Sequence, residues 1–128
     1  MKNIVFAILA PLFFGTISLS AQNQQPPDPE ELAASEAIRL EKLLKLEPHQ
    51  AFYVDSILRH DMMALQDEMT KMGESGMRDY NNFKIVQDKW INQIDSSLKQ
   101  VMTPEQFTIY LKDVGRYKKE KKAKRKRD

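Results

Sequence analysis

Beyond Pro29, residues that interrupt regular backbone occur at only five positions: Pro48, Gly73, Gly76, Pro104 and Gly115. Proline removes an amide donor and glycine adds backbone entropy, so these residues punctuate helices. Between them apolar residues recur at spacings of three and four, and no segment alternates with the period of two that a half-buried strand requires. The chain is therefore expected to be all-α.

Four helices follow from this punctuation. The first opens with Asp28 as N-cap, Pro29 at the first helical position and Glu31 at the third, a variant of the capping box. It carries Ala33, Ala37, Leu40 and Leu44 on one face and ends near Leu46. The second starts at Pro48, runs to about Met72, and places Ala51, Val54, Leu58, Met62, Leu65, Met69 and Met72 on one stripe. Gly73 to Gly76 form a turn. The third covers roughly Met77 to Met102, with Tyr80, Phe83, Gln87, Ile91, Ile94, Leu98 and Val101 on its stripe and Trp90 alongside. Such a helix is about 38 Å long, similar in reach to the second, and the two are expected to pack as a long antiparallel hairpin. The fourth starts at Pro104 and turns Phe107, Leu111 and Val114 inward, with Tyr110 beside them.

The N-terminus has the pattern of a secretory signal. Lys2 precedes an apolar run from Ile4 to Phe14, and Ser18 to Ala21 supply small residues for cleavage after Ala21 or Ser20. Pro11 and Gly15 break the run, which is shorter than the ~20 residues of a membrane span. The expected organisation is a signal peptide (1–21), a flexible leader (22–28) rich in proline and glutamine, one helical domain (29–115) and a basic tail (116–128). With no cysteine, the exported chain carries neither a disulfide nor a lipid-anchoring thiol.

Charge is segregated. Residues 116–128 hold nine Lys or Arg against two acids, a net +7, whereas residues 22–115 sum to −6. A block of like charge reads as a solvated end. As a functional element, Lys118, Lys119, Lys121, Lys122, Lys124, Arg125, Lys126 and Arg127 would bind an anionic envelope partner such as lipid headgroups, lipopolysaccharide phosphates or an acidic protein surface. Nucleic acid is not an expected partner of an exported chain. The tail could also lie across the acidic body and screen it at low salt.

One phrase occurs twice. Leu46-Glu47-Pro48-His49-Gln50 and Met102-Thr103-Pro104-Glu105-Gln106 each follow a helix and begin another. Thr103 is a good N-cap, Pro104 fits the first helical position, and Gln106 at the third reaches back to the cap amide. The first copy uses the same grammar with Glu47, a weaker capper. This pair of motifs resembles the LTXXQ-motif family of periplasmic proteins, the Spy and CpxP group. The second copy matches apart from Met102 for leucine, and the first lacks the threonine. The resemblance implies a periplasmic four-helix protein that pairs into a thin, curved homodimer and acts as an ATP-independent chaperone, holding unfolded or partly folded envelope proteins on a helical surface.

That role needs an adaptable apolar and charged surface rather than catalytic residues or a cofactor. Met62, Met63, Met69, Met72 and Met77 cluster near the hairpin turn, where flexible thioethers suit varied partners. The stripe reads equally as the seam between helices, but Met63 lies off it. Phe52, Met63, Met77 and Trp90 are the candidate apolar contacts, with Arg59, Arg78 and Lys84 for charge steering. An envelope protein working through its basic tail is one alternative, and a periplasmic metal-binding or sensing protein is another. His49 and His60, about 16 Å apart along one helix, cannot share an ion, and His60 with Met63 lacks a third ligand. Ser56, His60 and Asp67 lie on a continuous helix without the nucleophile turn or oxyanion hole of a triad, so no enzyme is expected.

Overall fold

The computed structural model describes residues 27–127. The expected signal peptide, leader residues 22–26 and Asp128 lie outside them. The described chain is all-helical: α1 (Pro29–Leu44), α2 (Pro48–Glu74), α3 (Tyr80–Val101), α4 (Pro104–Asp113) and α5 (Tyr117–Arg125). There are thus five helices, not four, because the basic tail forms a helix of its own.

α1 and α3 each pack on α2, and α4 closes one end of the assembly by touching both α1 and α3. The core lies at that end. Leu40, Val54 and Leu98 are its most deeply enclosed large side chains, surrounded by Ala33, Ala37, Leu44, Leu46, Leu58, Ile94, Met102, Phe107, Tyr110 and Leu111. Met72 and Val86 are buried outside this cluster, towards the turn between α2 and α3. Ion pairs reinforce the closed end: Arg39 of α1 reaches Glu36 on its own helix and Asp113 of α4, the latter at 2.6 Å.

The helix starts behave as their residues dictate. Asp28 accepts from the Glu30 amide at 3.0 Å, and Pro29 occupies the first turn, where its missing N–H costs nothing. The third helix begins later than expected. Asp79 caps it, and Met77 falls in the preceding loop, where Gly76 turns the chain at φ 79°. Its buried line is also displaced: Val86, Ile94 and Leu98 are buried, whereas Tyr80 is 75% exposed and Gln87 is exposed. The first turns of α3 lie at the loop end, where only α2 is available to cover them.

α1 and α4 end in the same way. The Arg116 amide donates to the Leu111 carbonyl at 2.8 Å, with Gly115 between them at φ 73°; the Leu46 amide donates to the Glu41 carbonyl at 3.1 Å, with Lys45 between them at φ 51°. Both are left-handed terminations that satisfy an orphan carbonyl, but only the one after α4 uses glycine. A lysine in that conformation has its Cβ close to backbone oxygen. Lys45→Gly is therefore expected to raise the urea-unfolding free energy by about 0.5–1 kcal/mol, after the greater unfolded-state freedom of glycine is deducted.

Candidate functional site

The two motifs meet. Gln50 and Gln106, from the starts of α2 and α4, face each other at the closed end of the molecule. Gln50 Nε2 donates to the Val101 carbonyl at 3.0 Å and to Gln106 Oε1 at 2.7 Å. Gln106 Nε2 donates to the Leu44 carbonyl and to Gln50 Oε1, each at 3.3 Å. Each Oε1 also accepts the amide of its own cap residue, Glu47 or Thr103, at 3.0 Å. Every donor and acceptor of both carboxamides is thereby used, in an approximately two-fold arrangement.

Each glutamine therefore does three things. It caps the helix it begins, satisfies a carbonyl at the C-terminal end of the other motif's preceding helix, and holds its twin. The pairing ties the α1–α2 corner to the α3–α4 corner. Gln50 is buried and Gln106 half-buried, so the bonds are shielded from competing water. Leu46 and Met102 are both buried beside them, and Pro48 and Pro104 occupy the first turns of α2 and α4. The capping boxes differ in quality. Thr103 Oγ1 accepts from the Gln106 amide at 3.2 Å, whereas the corresponding arm from Glu47 is present but loose, outside full hydrogen-bond geometry.

The opposite end of the hairpin is thin. Glu30, at the start of α1, pairs with Arg59 of α2 at 2.6 Å, so α1 reaches only to the level of Arg59. From there to Glu74, α2 continues for about 22 Å with α3 as its only helical neighbour among the described residues. Two helices alone bury only Met72 and Val86 of the arm's facing apolar side chains. Met62, Leu65, Met69, Phe83, Trp90 and Ile91 remain half-buried.

The candidate contact residues divide between these regions. Phe52 is 67% exposed on α2, beside the closed end rather than on the arm. Met63 and Met77 are exposed on the arm and in its loop. Trp90 is half-buried and donates its indole N–H to Glu68 Oε2 at 2.6 Å, with Lys89 on the same carboxylate. The Trp90 donor, followed by Lys89, holds the Glu68 carboxyl below the usual glutamate range. Arg59 is committed to Glu30 and Asp55, Lys84 to Asp88, and Arg78 to the Gly73 carbonyl. Ile85, 66% exposed on the arm, is not marked by spacing because no apolar residue stands three or four positions from it. Asp61 was missed as well: it is buried on α2, with an oxygen 2.8 Å from His60 Nδ1.

The basic tail meets the body at Asp95, which Arg116 holds in an ion pair at 2.6 Å, and α5 borders a cleft together with residues of α3 and α4. Lys124 pairs with Glu120 inside the tail, and among the described residues no tail lysine forms an ion pair with a body acid. No family model, curated protein or solved structure matches the chain.

The paired glutamines are expected to be coupled. Gln50→Ala and Gln106→Ala should each cost about 1–3 kcal/mol of unfolding free energy, by leaving buried partners unsatisfied. In a double-mutant cycle, the double variant should lose less than the sum by about 1 kcal/mol.

Proposed function

We propose that this is a periplasmic, ATP-independent chaperone of the LTXXQ-motif type, which holds unfolded or partly folded envelope proteins on the two-helix arm. The observation that carries the reading is the half-buried apolar stripe of the arm, flanked by exposed Met63, Met77 and Ile85. A chain recognising one partner benefits from a fixed pocket, whereas one that accepts many benefits from flexible thioethers on a surface that can repack. Four of the six methionines beyond the signal-like segment, Met62, Met63, Met69 and Met77, are half-buried or exposed on this arm and its loop.

The twin-motif junction supports the family assignment, since both copies serve as paired helix starts. Export follows from the signal-like N-terminus. Pairing into a homodimer is part of the proposal: a second copy laid along the arm would cover apolar surface that one chain leaves half-exposed. Charged residues would steer rather than anchor clients, because Arg59 and Lys84 already have intramolecular partners.

The test is light scattering of an aggregating client without ATP, titrated with the chain from Gln22 onward. Suppression near stoichiometric ratios is expected. Replacing Met63, Met77 and Ile85 together with serine should raise the amount needed for half-suppression several-fold while changing stability by no more than about 0.5 kcal/mol per site, because all three side chains are exposed. Unchanged suppression by the triple variant would remove the arm from the mechanism.

A further inference from the structure

The basic tail is a helix with two different faces. Arg116, just before α5, donates to both carboxylate oxygens of Asp95 at 2.6 and 2.8 Å, and Tyr110 donates its hydroxyl to the same carboxylate at 2.7 Å. Arg116 Nη2 also donates to that hydroxyl at 2.8 Å. Burial, reinforced by Asp95, pushes the Tyr110 hydroxyl well above the usual phenol range, so it stays a donor. One turn on, Glu120 meets Lys99 of α3 at 3.6 Å, and the Tyr117 ring lies under the Lys112 ammonium. These contacts hold α5 above a cleft of about 320 Å³ lined by Asp95, Lys99, Phe107, Leu111 and Glu120.

The cleft side of the tail mixes Lys119, Lys124 and Arg127 with Glu120 and Ala123, whereas the outward side is basic throughout. Lys118, Lys121, Lys122 and Arg125 are exposed at positions i, i+3, i+4 and i+7, a single stripe about 10 Å long. Glu120, the one acid within α5, points the other way, towards Lys99 and Lys124. Like charges at i and i+4 destabilise an isolated helix, so this stripe is held in place by the anchors at Arg116, Tyr117 and Glu120 rather than by its own propensity. An anionic surface would relieve the repulsion.

We propose that this stripe docks the protein on an anionic phospholipid bilayer. Lysine predominates, and lysine acts as a hydrated point charge suited to a diffuse field of phosphates. The stripe has no asparagine, glutamine or aromatic side chain of the kind that reads base edges or stacks on bases. Opposite net charges on tail and body add orientation, because the same surface that attracts α5 repels the acidic body. The protein then sits with α5 against the headgroups and the rest of the chain turned away from them. This role is independent of client holding, and only its physiological setting rests on the exported location.

Co-sedimentation of the chain from Gln22 onward with vesicles tests this, using phosphatidylcholine alone and phosphatidylcholine mixed with phosphatidylglycerol. Binding is expected only to the mixed vesicles and should weaken steeply with added salt. Changing Lys118, Lys121, Lys122 and Arg125 together to glutamate should lower the partition coefficient by about several hundred-fold or more, at roughly fivefold per cation. The glutamine version should move it in the same direction by less, without adding repulsion, and unchanged circular dichroism of both variants would assign the loss to charge. Equal binding to neutral vesicles, or wild-type partition by the glutamate variant, would overturn the proposal. So would affinity for a DNA duplex or an acidic polypeptide without affinity for the mixed vesicles, by assigning α5 another partner.

Discussion

The reciprocal bond between Gln50 and Gln106 organises this molecule. A chain of short and long helices without cysteine has few means of fixing its corners, and each corner exposes carbonyls at one helix end and amides at the next helix start. Here one carboxamide per corner serves its own cap, a carbonyl from the other corner and its counterpart. Leu46 and Met102, buried beside them, join the same core as Leu40, Val54 and Leu98. The polar lock and the apolar core are therefore one region.

Concentrating the core at one end determines what the other end is like. α1 stops at the level of Arg59, and α4 closes only the motif end. The remaining stretch of hairpin is two helices thick, with its apolar stripe half-covered and its ties made of hydrogen bonds such as Trp90 to Glu68. Adaptable surface and rigid anchor are in this way separated along one long helix, α2. The basic helix α5 is fixed near the rigid end, through Asp95 and Tyr110, so its charge pattern has a defined direction relative to the arm.

Much of the architecture was legible locally. Asp28, Thr103, Pro48 and Pro104 mark helix starts by short-range chemistry, and the stripes of α1, α2, α3 and α4 together locate most of the core. The start of α3 was not, because Met77 and Tyr80 fit the helical period as well as Phe83 does; the difference is that no second element covers them, a fact of tertiary placement. The reason for writing the motif twice was also hidden. Capping explains Gln50 and Gln106 separately, whereas their mutual bond joins residues far apart in the chain. That the tail forms a separate, anchored helix was not legible, because its charge run matches a solvated end, and its anchors, Asp95 and Tyr110, lie on other helices. The exposed arm residues were partly legible: Met63 lies off the α2 stripe, but nothing in the sequence singles out Ile85 or gives Trp90 its partner.

The central claim is that stability is concentrated at the twin-motif junction and falls along the hairpin towards its turn. Native-state hydrogen exchange at dilute protein concentration measures this residue by residue. Amides near Leu40, Val54 and Leu98 should exchange only by global unfolding, while those of residues 66–72 and 83–90 should exchange through openings of distinctly lower free energy. Protection along the arm equal to that at the junction would contradict this account.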